Sequence, residues 1–239
     1  MASRTSATKP ARSRTGSVQA KPAAPKRARR DPAIAGGAAR WRIAPMTPAR
    51  WDDLEQLFGP RGACAGCWCM FMRLPLAEFR RGKGAGNRRA LHALVARRPP
   101  GLIAYAGRDP VGWIAVAPRE EYRRLENSRV LAPVEGERVW ASPCFFVKSG
   151  HRGGGLSLAL LEAATAFAER HGAGALEGYP TANTAHKQAA AFVWTGFEST
   201  FRRAGFTEVA RRSRSRPILR RTFGNRMRKA TAASRSDRG

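Results

Sequence analysis

The sequence predicts an α/β domain built on a mixed sheet with helices on both faces, and three observations carry that prediction. Apolar runs of strand length and amphipathic stretches of helical length follow one another in the order β-α-α-β-β-β-α-β-α-β-β. Two of those runs are separated only by Arg108-Asp109-Pro110, which is a hairpin signal. The chain has 239 residues, enough for one domain or at most two, and a chain of this size removes roughly 70% of its unfolded surface from water.

The elements follow in order. Trp41–Pro45 reads as a short strand. Thr47-Pro48 supplies an N-cap and a proline at the first helical position, and Trp51, Leu54, Leu57 and Phe58 recur at helical spacing, so the pattern predicts a helix over 48–58 that ends at Gly59-Pro60. The second half of CAGCWCMFMRLP reads as a buried strand. Gly-rich 82–86 leads into a helix from about Asn87 to the stop at Pro99-Pro100, with Leu91, Leu94 and Val95 on one face. Leu102–Gly107 and Val111–Val116 form the hairpin, and 118–129 makes a helical turn or two followed by loop. Val139–Val147 (VWASPCFFV) is apolar on both faces and reads as one longer central strand. Leu156–His171 is a strong helix ended by Gly172. Ala175–Tyr179 is a short strand, Phe192–Arg203 is helical in its second half, and Thr207–Arg211 and Pro217–Thr222 close the domain.

The net charge of +27 is unevenly spread. Residues 1–40 hold ten Lys/Arg against one acid, Asp31, and residues 211–239 hold eleven against one, Asp237. The first flank is made of Ala, Ser, Thr, Pro and Arg with almost no large apolar residues, so it cannot offset its own chain entropy by burial. The expected organisation is therefore a disordered basic tail over 1–40, a domain over 41–223 and a second basic tail over 224–239. An Arg-rich, acid-poor N-terminus also fits a transit peptide, but prolines at 10, 22, 25 and 32 interrupt the amphipathic helix that one needs. No apolar run approaches the ~20 residues of a membrane span, which excludes an integral membrane protein, and no secretory signal is visible. Four cysteines in a chain of this length are no disulfide framework, and reducing cytoplasm is the expected compartment.

Chemistry concentrates after the strand that ends at Val147. Lys148-Ser149-Gly150-His151 and Arg152-Gly153-Gly154-Gly155-Leu156-Ser157 open directly into a helix. A strand running through glycines into a helix presents free backbone N–H groups and the positive end of the helix dipole, which suits a phosphate. His151 and Arg152 add charge at the same end. The Walker pattern fails because Leu156 stands where its Lys belongs, and the dinucleotide fingerprint belongs to an early βαβ unit, whereas this loop follows a hairpin.

Arg152-x-x-Gly155-x-Ser157, with Val147 five residues before the Arg, resembles motif A of the GCN5-related N-acetyltransferases, the GNAT superfamily, whose pattern is [Q/R]-x-x-G-x-[G/A]. Phe201-Arg-Arg-Ala-Gly205-Phe206 is similar to the family's Tyr-x-x-x-Gly-Phe segment, and with the order of elements, which also resembles the family's, the resemblance spans about 41–223. The resemblance implies a GNAT-like fold with a central, mostly antiparallel mixed sheet. It also implies acetyl transfer from acetyl-CoA, as co-substrate, to an amine acceptor by direct attack, with no metal. On the same basis Phe145, Phe146 and Val147 match the strand that pairs with pantetheine. Arg152, Gly153, Gly154, Gly155, Leu156, Ser157 and Leu158 match the pyrophosphate loop and first helical turn.

The sequence departs from the family at the catalytic positions. The family's acidic Tyr falls on Phe201, the Asn seven residues earlier on Trp194, and the catalytic Glu of many members near Ala141. Tyr179, Glu137 and Glu177 are the candidates that remain for proton transfer, and ordinary strand-edge or surface roles compete for all three. Cys64-x-x-Cys67-x-Cys69 with His92 would supply four zinc ligands, but the apolar neighbours Trp68, Met70, Phe71 and Met72 favour core packing, and no second tight pair exists. Two other readings stand beside the enzyme: a non-catalytic acyl-CoA-binding module that lost its acid at Phe201, and a protein tethered to nucleic acid by its basic tails. The acceptor contacts are expected in 59–90 and 118–136, where no dense acidic cluster marks a polycationic acceptor.

Overall fold

A computed structural model describes residues 40–135, 138–182 and 194–224. The basic tails lie outside these residues apart from Arg40 and Gly224, as do Glu137 and the first residues of the predicted 192–203 helix. Among the described residues no helix is long and apolar enough to cross a membrane.

Among the described residues, nine strands form two sheets. The first has the order β1 (Arg42–Pro45), β2 (Gly101–Ala106), β3 (Asp109–Ala115), β6 (Phe145–Val147), all antiparallel. The second runs β4 (Ala117–Pro118), β5 (Val139–Ser142), β7 (Ala175–Gly178), β9 (Ile218–Thr222), β8 (Thr207–Ala210), and β5–β7 is its parallel pair. The chain passes from one sheet to the other three times, from β3 into β4, from β5 into β6 and from β6 into β7. The predicted single strand over 139–147 is therefore two short ones. Pro143 has no N–H to continue a ladder, so β5 stays with β7 while β6 leaves to pair with β3. A gap opens between β6 and β7.

Helix α5 (Leu156–Arg170) crosses one face of both sheets. Leu156, Leu160, Leu161, Ala164 and Phe167 pack there against Leu102, Ile114 and Leu176. The opposite face is covered by α1 (Trp51–Phe58), α3 (Ala85–Arg97) and the Trp68–Met70 turn, packed on Ile103, Tyr105 and Trp113. The predicted 48–58 helix begins as a 3-10 turn over Pro48–Arg50. Thr47 does not cap it, because its hydroxyl accepts from Arg50 Nη1 at 3.0 Å instead. A short helix the periodicity did not reveal, α2 (Leu76–Arg81), follows Pro75. The 118–129 segment holds a 3-10 turn and α4 (Arg123–Glu126), as its pattern implies.

The buried strand expected in the second half of CAGCWCMFMRLP is absent: Arg73 and Leu74 N–H both donate to Met70 O, at 3.1 and 3.0 Å, which closes a turn there. Ala63, Ala65, Trp68 and Cys69 all take positive φ, a conformation that coils the chain into turns and is incompatible with an extended strand. Trp68 and Cys69 are nonetheless core residues, 5% and 6% exposed.

On the α5 face, Gly178 accepts the ring of Phe201 directly. A Cβ there would lie 1.9 Å from Phe201 Cε1. Gly178→Ala is expected to cost about 3 kcal/mol through overpacking, which lowers Tm by roughly 5–10 °C. Unchanged thermal unfolding of that variant contradicts this packing.

Candidate functional site

The gap beside β6 opens into a cleft of about 630 Å³. One wall is Phe145, Phe146 and Val147 with the loop that follows them. The other is Trp194, Gly196, Phe197, Thr200 and Arg203, and Ala63 and Cys64 reach the rim. Strand geometry sets what β6 presents. Ala115 N–H donates to Cys144 O at 2.9 Å, and Lys148 N–H donates to Val111 O at 3.0 Å, so the even positions of this strand face β3. By the two-residue period the backbone groups of Phe145 and Val147 face the gap. There Phe145 N–H donates to Trp194 O at 2.6 Å, and Val147 O accepts from Arg152 Nε at 3.0 Å. The Phe145 carbonyl and the Val147 N–H are turned to the same side.

The loop ends in Gly155, the N-cap of α5, at φ +88, with Gly153 at φ +77. Both are left-handed positions that a side chain disfavours. A Cβ on Gly153 would meet nothing within 4 Å, and one on Gly155 only Trp41 at 4.0 Å, so the glycines leave an open cradle over the first helical turn. No side chain caps α5, and its first N–H groups face that cradle. Arg152, His151 and Arg203 border the cleft, and among the described residues no carboxylate lines it. Local electrostatics therefore favour an anion. Of the residues matched to the pyrophosphate loop, Arg152, Gly153, Gly155, Leu156, Ser157 and Leu158 line the cleft, while Gly154 lies against Arg40, whose Nη1 would be 3.5 Å from its Cβ.

Two of the proton-transfer candidates, Glu177 and Tyr179, are not brought to this cleft, and the third, Glu137, lies outside the described residues. Glu177 is 1% exposed and Tyr179 0%, both on the β7 face turned away from α5. Glu177 Oε1 accepts from Arg220 Nε and Nη2 at 3.0 and 2.6 Å. Its Oε2 accepts from Tyr179 Oη at 2.8 Å and Arg119 Nε at 3.3 Å. Arg119 also contacts Glu126 and donates to Leu131 O at 2.6 Å. Burial, then the Glu177 charge, pushes the Tyr179 hydroxyl well above the ordinary phenol value. A carboxylate whose two oxygens are occupied by two guanidiniums and a phenol has no lone pair free for a substrate. Sequence reasoning missed Arg119 and Arg220 as its partners, because they lie 58 and 43 positions away. Phe201 is 0% exposed, edge-on to Phe145 and Phe206, and Ala141 is buried in β5, paired with Ala117 and Glu177.

The cysteines are dispersed by the turns that hold them. Cys64 is exposed at the cleft rim. Burial pushes the Cys67 thiol up to about 11. Cys69 Sγ lies 2.8 Å from Cys144 Sγ and accepts from Trp113 Nε1 at 3.0 Å. His92 instead sits edge-on to Trp51, 4.6 Å between ring centroids. Among the described residues no group of three or more His, Cys, Asp or Glu is placed to hold a metal.

Several solved structures resemble this chain. A putative acetyltransferase of the GNAT family from Desulfovibrio desulfuricans is 14% identical, covers 76% of this chain and 98% of its own, and superposes with a TM-score of 0.44. The PaiA N-acetyltransferase of Thermoplasma acidophilum, solved with coenzyme A, is 12% identical over 77% of this chain and 99% of its own, with a TM-score of 0.46. A GNAT family acetyltransferase from Brucella melitensis, solved with acetyl-CoA, is 15% identical over 77% and 88%, with a TM-score of 0.40. No curated protein matches the sequence. The family described as Acetyltransferase (GNAT) family matches residues 68–196, which run from the Trp68–Met70 turn through β6, the glycine loop and α5 to Gly196. That match covers more than half of the chain, and the protein belongs to the GNAT acetyltransferase family.

Proposed function

We propose that the protein transfers the acetyl group of acetyl-CoA to an amine by direct attack. The observation that carries this reading is the cleft itself, which joins an open strand edge to an uncapped helix N-terminus through two left-handed glycines. Gly153, Gly155, Leu156 and Ser157 form the cradle for the pyrophosphate, with Arg152 and His151 adding charge. The Phe145 carbonyl and the Val147 N–H are the backbone pair available to the amides of pantetheine, and Phe145, Leu158 and Phe197 supply the apolar walls.

Acetyl-CoA brings an acyl group already activated as a thioester, so the chain's task is to position and to desolvate. Transfer forms a C–N bond, breaks the C–S bond and releases one proton from the amine nitrogen. The described residues place no carboxylate and no phenol on the cleft. In this reading the amine proton passes to solvent or to His151, the imidazole on the cleft, and the thiolate, with a pKa of about 8.5 for an ordinary thiol, needs no protein acid to leave.

The buried Phe201 favours one other reading, a module that binds acyl-CoA without turning it over. Thermal unfolding of the full chain with acetyl-CoA tests the first step of both. At 100 times its dissociation constant the ligand adds about 2.7 kcal/mol, a rise in Tm of roughly 5–10 °C. A rise accompanied by amine-dependent thiol release supports the enzyme. A rise with no release over a broad amine panel supports the binding module, and no rise up to millimolar ligand removes both.

A further inference from the structure

Three of the chain's four cysteines lie in the 64–69 turn, and folding carries the fourth to them. Cys144 is 75 positions from Cys69 in sequence, yet their Sγ atoms stand 2.8 Å apart. Both are free thiols in this structure. An S–S bond is about 2.05 Å long, so an approach of under about 1 Å joins them.

The surroundings give the two sulfurs different characters. Cys69 is held in the core at φ +55, a backbone conformation that its packing must enforce. The hydrogen bond with Cys144, the Trp113 Nε1 donor at 3.0 Å and the Arg73 charge hold the Cys69 thiol below its ordinary value, against the effect of burial. The same sulfur–sulfur hydrogen bond, then burial, holds Cys144 well above it. A thiolate beside a thiol is the arrangement in which one sulfur is oxidised and the other resolves it. Cys67, with its thiol pushed up to about 11, lacks that activation. Cys144 is half-buried, which leaves a small oxidant an approach from its side.

The pair also joins two parts of the cleft wall. Cys144 immediately precedes Phe145, the first residue of β6, and its own carbonyl accepts from Ala115 N–H at 2.9 Å. Cys69 belongs to the turn whose Ala63 and Cys64 reach the cleft rim.

We propose that Cys69 and Cys144 are a redox-active pair that a peroxide converts to a disulfide, a reversible latch between the rim turn and β6. The Cys69 sulfur attacks one oxygen of hydrogen peroxide, the S–O bond forms and the O–O bond breaks. The departing hydroxide takes up a proton and leaves as water. Cys144 then attacks the Cys69 sulfur, so that the S–S bond forms and the S–O bond breaks. The sulfenic oxygen leaves as a second water with the Cys144 proton. The two thiols lose two electrons and the peroxide gains them, and a thiol reductant returns the pair to its starting state. The inference is independent of the acetyl-CoA reading, since it rests on the two sulfurs and their neighbours alone.

The test titrates the full chain, reduced and desalted, with hydrogen peroxide and maps it by tryptic mass spectrometry without reduction. Two of the four thiols are expected to be lost, and peptide 62–73 is expected to appear joined to peptide 139–148, with fragmentation placing the link on Cys69. Dithiothreitol is expected to restore all four thiols. Closing a span of 75 residues is expected to raise Tm by roughly 5–10 °C over the reduced protein. The Cys64→Ser/Cys67→Ser double variant, which keeps the core pair, is expected to form the link unchanged, whereas Cys69→Ser is expected to lose it. A link confined to peptide 62–73, sulfinic acid on Cys69 without a link, or four thiols remaining at millimolar peroxide overturns the proposal. So does a link that fails to form in the double variant or that forms at full yield in Cys69→Ser. An oxidised protein no more stable than the reduced one also overturns the latch.

Discussion

Gly155→Glu is expected to abolish acetyl-CoA binding while leaving a folded protein. Gly155 sits at φ +88, where a Cβ costs about 1–2 kcal/mol, but the surrounding space is open, with Trp41 4.0 Å from the added carbon. The larger effect is electrostatic. A carboxylate placed at the mouth of α5, about 4 Å from a pyrophosphate charge, contributes about 4 kcal/mol of repulsion at a partly screened site, close to a thousandfold in affinity. Gly155→Ala separates the two causes. It introduces the same backbone strain without the charge, and it is expected to weaken binding by roughly tenfold at most. Calorimetric titration of both variants, alongside their thermal unfolding, checks the assignment. Normal acetyl-CoA affinity in a folded Gly155→Glu protein contradicts the placement of pyrophosphate in this loop.

Glu177→Ala is expected to be the most destabilising single substitution on the second sheet. The Glu177 carboxylate is held by Arg220, Arg119 and the Tyr179 hydroxyl. Its removal leaves Arg119, 7% exposed, and Arg220, 10% exposed, without their common counter-charge. Breaking one member of a buried ion network costs about 3–5 kcal/mol, and a chain of this size loses roughly 10 °C in Tm. Glu177→Gln keeps the volume and some of the hydrogen bonds, so its loss is expected to be smaller. The pair of variants also separates structure from catalysis. If Glu177 were a general base, Glu177→Gln would lower kcat sharply at temperatures where the protein stays folded. The geometry predicts near-normal turnover there, once an acceptor is in hand.

Much of the fold was legible in the sequence because its signals are local. The amphipathic period of α5, the hairpin of β2 and β3 and the stop at Gly59 each depend on residues within one turn or one strand of each other. The glycine loop was legible for the same reason. Glycines, a cation and an adjacent helix start are neighbours in sequence, and they fall together on the cleft. The misreadings were equally physical. Val139–Val147 is apolar on both faces, so periodicity could not show that Pro143 divides it between two sheets. The second half of CAGCWCMFMRLP has strand composition, but Trp68 and Cys69, packed into the α1 side at positive φ, lead the chain into a turn at Met70 instead.

What the sequence by itself determined, then, is the order of elements and the loop that suits a phosphate, since both are written in spacings of a few residues. Tertiary structure alone decided which polar groups are occupied and which are left over. Alternation along β7 puts Glu177 and Tyr179 on one face, but only the arrival of Arg119 from before α4 and Arg220 from β9 turns that face into a closed ion network. The energy of a buried charge depends on whatever partner lies within a few ångströms, and for these residues that partner is set by pairings dozens of positions apart.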